Sequence, residues 1–86
     1  MEIIFKKSFI KQYDKLPKNL GIKVDETIDI FAQNPHHPIL KNHQLKGNMH
    51  GQRSISAGND LRIIFEVEGN YIKVLFLAVG THNQVY

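Results

Sequence analysis

The segment LRIIFEVEGNYIKVLFLAV, Leu61 to Val79, restricts the fold more than any other part of the chain. Leu61 to Glu68 alternates apolar and polar residues, the period of a strand with one buried face. Tyr71 to Val79 is apolar on both faces, as a central strand is. Between them Glu68-Gly69-Asn70 reads as a hairpin turn, because glycine and asparagine tolerate positive φ. Two long neighbouring strands commit the chain to an antiparallel sheet, and a sheet must bury at least one face.

The cover is upstream. Glu2 to Lys6 reads as a short strand, and Ser8 is placed to cap a helix over residues 8–16. Phe9, Tyr13 and Leu16 share one face of it. Pro17 interrupts. A second helix over 18–33 carries the stripe Leu20, Val24, Ile28 and Phe31, and Asn34-Pro35 stops it. From Pro35 to Gln52 periodicity disappears, and the stretch reads as a long loop or a poorly formed strand. Arg53 to Ala57 is a weak strand candidate. The expected fold is α+β: a two-helix hairpin on one face of a four-stranded antiparallel sheet, in the order β-α-α-β-β-β. Its strands are near 2–6, 53–57, 61–68 and 71–79. At 86 residues, one domain over 1–86 is the expected count.

This leaves one sheet face open, and the polar residues suggest its use. There is no cysteine, so neither a disulfide nor a thiolate metal site is expected. That fits a reducing cytoplasm. No apolar run approaches the ~18 residues of a membrane span, and the N-terminus does not read as a secretory signal. Lysine and arginine number 11 against 8 acidic residues, a weak preference for polyanions. Five histidines carry more information, since histidine is the usual general acid or base. His36 and His37, flanked by prolines, read as plain loop. His43, His50 and His82 fall in loop-like segments, where sites are usually built. No metal site is expected, because no further ligands stand at metal spacing.

The run His43-x-Leu45-x-Gly47-x-x-x-Gly51-x-Arg53, then Asp60 before the next strand, then Gly80-Thr81-His82 with a closing Tyr86, is specific. It resembles the pattern of YafQ-like toxins in the RelE/ParE superfamily. The short opening strand, the break at Leu16-Pro17 and the Asn34-Pro35 stop are similar to that superfamily at large. The resemblance implies a toxin of a type II toxin–antitoxin system, an endoribonuclease cutting mRNA in the ribosomal A site. It implies a cognate antitoxin as partner, and operator DNA only through the antitoxin complex. It also implies that the first strand lies beside the last.

Carried over by position, His43, Asp60, His82 and Tyr86 are the catalytic candidates, with Arg53 facing the phosphate. Metal-free RNA cleavage needs a base on the 2′-OH, an acid on the leaving 5′-oxygen, and cations at the phosphate. These residues suffice, and no cofactor is expected. Lys41, Lys46, His50 and Arg62 are further RNA-binding candidates; Lys41, Lys46 and His50 read equally as solvated surface residues. Two positions depart from the resemblance. Ser56 stands where a histidine is usual, and Leu61 where an aromatic residue is usual. His50 is the candidate substitute base. The superfamily also contains ParE-like gyrase inhibitors, so gyrase inhibition is the alternative activity. The serine at position 56 suggests a third reading, an inactive descendant that only binds its antitoxin.

Overall fold

The computed structural model describes Met1–Tyr86. The elements are β1 (Glu2–Phe5), α1 (Lys7–Asp14), α2 (Lys18–Gln33), β2 (His43–Gln44), β3 (Arg53–Ser56), β4 (Leu61–Glu68), β5 (Lys73–Thr81) and α3 (His82–Val85). Short 3-10 turns occupy Pro38–Leu40 and Gly47–Met49. A single sheet has the order β1-β5-β4-β3-β2.

The fold is α+β, with α1 and α2 packed on one face of the sheet. Phe9 of α1 and Val24 and Phe31 of α2 join Ile55, Leu61, Ile63, Phe65, Val74, Phe76 and Val79 in one apolar cluster. Phe31 is its centre, 5.1 Å from the Phe65 ring and 5.5 Å from Phe76. Emptying such a site typically costs about 3–5 kcal/mol. Tyr13 Oη donates to Asp25 Oδ1 at 2.7 Å and ties α1 to α2. That bond, more than any other influence, holds the Tyr13 hydroxyl above its ordinary pKa. No helix is long and apolar enough to cross a membrane.

Five strands stand where four were expected. The addition is β2, whose two residues pair His43 with Ser54 and Gln44 with Arg53. Two residues are too few to show alternation. The sheet is also mixed. β1 lies beside β5 but runs parallel to it, from Glu2↔Lys73 to Phe5↔Phe76. Three antiparallel pairings in succession alternate the strand directions from β2 to β5, and β5 emerges running with β1.

Ser8 does not cap α1. Lys6 holds the N-cap position without a side-chain cap, and Ser8 Oγ instead donates to the Leu77 carbonyl at 2.5 Å. Leu77 is the extra residue of a bulge, where Ile64 faces Ala78 and Phe65 faces Phe76. Gln12 Oε1 accepts from the Val79 N–H nearby, at 2.8 Å. Side chains of α1 thus bond backbone groups at and just beyond the bulge, where ladder pairing is disrupted. Tyr71 belongs to the turn, with φ of 70°, and not to β5. β5 continues through Gly80 to Thr81, and the residues after it form the single turn α3.

Candidate active site

The sheet face away from α1 and α2 is read from the register. Ile63 and Phe65 join the core cluster, so Arg62 and Ile64 point the other way. Across the ladders Ile64 faces Ser54 and Ala78, and Arg62 faces Ser56 and Gly80. His43 pairs with Ser54 and shares this face. Ser54 and Ile64 are nevertheless 0% and 1% exposed. Something else covers them, and it is the end of the chain.

After Thr81 the backbone turns back as α3, which packs on β4 and β5. Gln84 Oε1 accepts from the Thr81 N–H at 2.8 Å, closing the turn. This requires glycine at position 80. A Cβ there would stand 2.7 Å from Gln84 Oε1 and 3.2 Å from Gln84 Cβ. The His82 N–H donates to the Asp60 carbonyl at 2.9 Å, so these two candidates stand side by side. Tyr86 closes the turn. Its hydroxyl donates to Ser54 Oγ, and its ring meets the His82 ring edge-on, centroids 4.3 Å apart.

A row results: His43 beside Ser54, Ser54 under Tyr86, Tyr86 against His82, and His82 bonded to Asp60. Four separate segments contribute to it. The His43 Nδ1 lies 2.9 Å from the Lys41 carbonyl. A carbonyl only accepts, so Nδ1 carries a hydrogen, and in the neutral ring Nε2 is the free acceptor. Lys41 adopts φ of 50°, a left-handed conformation rare without glycine.

Arg62 completes the face. Its Nη1 donates to Ser56 Oγ at 3.2 Å, to the Asn59 carbonyl at 2.9 Å and to the Leu61 carbonyl at 2.9 Å. The guanidinium is therefore anchored at the hydroxyl that stands where the family resemblance has a histidine. A groove of about 570 Å³ adjoins it, and Lys23, Thr27, Lys41 and Asn59 are among its lining residues.

Arg53 is not in this row. It pairs with Phe65 and so projects to the helix side, where its Nε donates to Asn42 Oδ1 at 2.9 Å. The resemblance has Arg53 facing the phosphate beside His43, Asp60 and His82, and the structure turns it away from them. The physical cause is the two-residue period of a strand: Ser54, one position on, faces the histidines instead. Lys46 and His50 are exposed and flank the Gly47–Met49 turn. Neither side chain bonds to a residue of the row. Gly47 and Gly51, with φ of 71° and 91°, make that turn possible. His37 is structural, since its Nδ1 accepts from the Ile39 N–H. His36 lies edge-on to Tyr71. Nowhere do three histidine or carboxylate side chains meet as ligands for an ion.

Sequence reasoning missed Ser54 and Asn42. Ser54 carried one usable signal, a small polar residue in a strand facing an apolar one. Asn42 carried none.

A family model described as bacterial toxin of type II toxin-antitoxin system, YafQ, matches residues 1–86. No curated protein matches the chain in sequence. Among solved structures, the chain is similar to YafQ from E. coli strain BL21(DE3), with 19% identity and a TM-score of 0.82. That match covers 99% of this chain and 97% of the other. It is also similar to a YoeB/ParE toxin from Agrobacterium tumefaciens, with 20% identity, a TM-score of 0.78, and coverage of 95% and 99%. The toxin-antitoxin complex RelBE2 from Mycobacterium tuberculosis contains a third similar chain, with 20% identity, a TM-score of 0.71, and coverage of 93% and 95%.

Proposed function

Because the chain belongs to the YafQ family of bacterial toxins of type II toxin–antitoxin systems, we propose that it is an endoribonuclease that cuts mRNA in the ribosomal A site. The observation that carries this reading is the row from His43 through Ser54 and Tyr86 to His82 and Asp60. A binding module has no need of two histidines on one open face, one of them held through its backbone N–H by the Asp60 carbonyl.

In the proposed reaction His43 Nε2 takes the proton of a ribose 2′-OH. The 2′-oxygen attacks the neighbouring phosphorus, and the P–O2′ bond forms as the P–O5′ bond breaks. His82 gives a proton to the departing 5′-oxygen, leaving a 2′,3′-cyclic phosphate and a 5′-hydroxyl. General acid–base groups of this kind contribute about 10²–10⁴-fold each. Asp60 orients or charge-stabilises His82. Arg62 takes the phosphate-facing role that the sequence suggests for Arg53, because it leaves β4 from the strand face that His43 shares, whereas Arg53 leaves β3 from the other. Tyr86 stacks a splayed base, worth about 1–3 kcal/mol. Lys41, Lys46 and His50 supply phosphate contacts around this centre. The chemistry requires proton transfer and charge, and no cofactor.

A cognate antitoxin holds the enzyme silent in the cytoplasm by covering the open face or displacing Tyr86, and operator DNA is reached only through that complex. Several similar structures are toxin–antitoxin complexes, which supports this partner. The deciding experiment is translation of a defined mRNA with the purified protein, mapping new 5′ ends, beside a gyrase supercoiling assay. New 5′ ends inside codons, abolished by the antitoxin, support the ribonuclease. Intact mRNA with inhibited gyrase would replace it with the ParE-like reading. Intact mRNA with unaffected gyrase leaves only antitoxin binding.

A further inference from the structure

Arg53 is spent on the helix side of the sheet, and what it holds there is one residue from His43. Asn42 uses its amide fully. Its Nδ2 donates to the Pro35 carbonyl and to Tyr71 Oη, each at 2.9 Å, and its Oδ1 accepts from Arg53 Nε at 2.9 Å. The partners are fixed in their turn. The Tyr71 ring packs against Phe31 at 6.1 Å, and Arg53 is a residue of β3.

The backbone hold on β2 is short. It offers two paired residues at the edge of the sheet, one further bond from the Leu45 N–H to the Gln52 carbonyl at 2.9 Å, and Lys41 in a left-handed conformation two residues before it. Ladder pairing over so short a length is marginal by itself. Side chains alternate across a strand, so Asn42 points to the helix side while His43 points to the open face. One residue secures the segment and the next presents the imidazole. The Lys41 carbonyl, next to Asn42 on the other side, sets the His43 tautomer.

We propose that Asn42, clamped by Arg53 and Tyr71, is a positioning residue for His43. It fixes the Lys41 carbonyl and the start of β2 so that the ring keeps its hydrogen on Nδ1 and offers Nε2 to the open face. Arg53 then acts on cleavage through Asn42 and not through the phosphate. This rests on the role given to His43 above, but the ring state can be read without any cleavage.

The test uses the full chain with the substitutions Asn42→Ala, Arg53→Ala and both together. Nitrogen-15 spectra of the histidine rings report the His43 tautomer, and cleavage in a translating system gives kcat and the half-saturating mRNA concentration. The Nδ1–H signature of His43 is expected in the unsubstituted protein and lost in all three variants. kcat should fall about tenfold to a hundredfold, as misplacement of a reacting group does, at unchanged half-saturation. The double variant should be no worse than the worse single one, because both substitutions cut one chain of contacts. Backbone spectra of β4 and β5 show that the fold persists. A variant with a lost fold is replaced by Tyr71→Phe, which removes only the hydroxyl that accepts from Asn42 and should also loosen the tautomer. An unchanged His43 signature overturns the proposal, as does Arg53→Ala acting on half-saturation alone. If no form of the protein cleaves mRNA, the ribonuclease reading fails, and the ring spectra still decide the positioning.

Discussion

The Tyr86 hydroxyl donates to Ser54 Oγ, joining the end of the chain to a strand residue 32 positions earlier that is itself 0% exposed. Tyr86 is 40% exposed, so the contact fixes the side chain without burying it. A stacking platform needs this: one edge held, one face free for a base. Removing the hydroxyl in Tyr86→Phe should leave the platform in place and loosen it. Net loss of one such hydrogen bond is about 0.5–1.5 kcal/mol. Amide exchange over residues 82–86 should quicken while β4 and β5 stay protected, and cleavage should fall severalfold. Tyr86→Ala should fall further, through weaker RNA binding. Equal cleavage by all three forms would remove Tyr86 from the site.

Gly80 is where the sheet admits α3. Its backbone does not need glycine for its angles; the close approach of Gln84 needs it. In Gly80→Ala the new methyl displaces Gln84 Oε1 from the Thr81 N–H and lifts the turn that carries His82 and Tyr86. The core lies on the other face, so circular dichroism and cooperative unfolding should persist with a modest drop in Tm. Cleavage should fall by an order of magnitude or more. A fully active Gly80→Ala protein would show that the placement of α3 does not matter to the chemistry.

Much of this was legible in the sequence, and the gaps have definite causes. The stripe Val24 and Phe31 and the alternation of Leu61, Ile63 and Phe65 are long enough for their periods to be read, and both are in the core. Asn34-Pro35 ends α2 for the steric reason that proline gives. β2 is too short to have a period. The parallel pairing of β1 with β5 depends on contacts across the whole chain, which local pattern does not encode. The grouping of His43, His82 and Tyr86 is something only the resemblance implies, since the contacts that link them through Ser54 join segments far apart in the chain. Arg53 faces the phosphate by resemblance only, whereas its pairing with Phe65 turns it to the helix side, and a one-residue difference in register exchanges the faces. Leu77, the bulge residue, was invisible for a similar reason: a uniformly apolar strand conceals a change of phase.

The two histidines of the row should be unequal to the others. His82→Ala and His43→Ala should each reduce cleavage by about 10²–10⁴-fold, the usual worth of a general acid or base. The fold, and with it antitoxin binding, should persist, since both rings are exposed and neither supports the core. His50→Ala and His36→Ala should stay within a few-fold. Cleavage rates and antitoxin titration on the same preparations provide the check. If His50→Ala proves as impaired as the His43/His50 double substitution, His50 is the base and His43 is not.

Ser56 and Arg62 face each other across β3 and β4, joined by the 3.2 Å contact from Nη1 to Oγ. The histidine usual at position 56 would carry a proton or a positive charge; here the cation arrives from the neighbouring strand. Three acceptors share the two hydrogens of Nη1, which leaves Nε and Nη2 to form the planar two-donor edge that matches a phosphate. Arg62→Ala should therefore lower cleavage by about 10²-fold, comparable to loss of one preorganised charge-stabilising donor. Arg62→Lys should recover little, because an ammonium cannot bond the turn and fork a phosphate together. Arg62→Ala should also flatten the salt dependence of mRNA binding, as loss of one phosphate contact does. In the Arg62→Ala background, Ser56→His should restore part of the rate by returning a proton-carrying group to the same place on the open face. Restoration by Ser56→His, with none by Ser56→Ala, would show that strand β4 supplies from the next ladder position what β3 lacks. A fully active Arg62→Ala protein would leave the phosphate without its cation and return that role to the lysines of the adjoining groove.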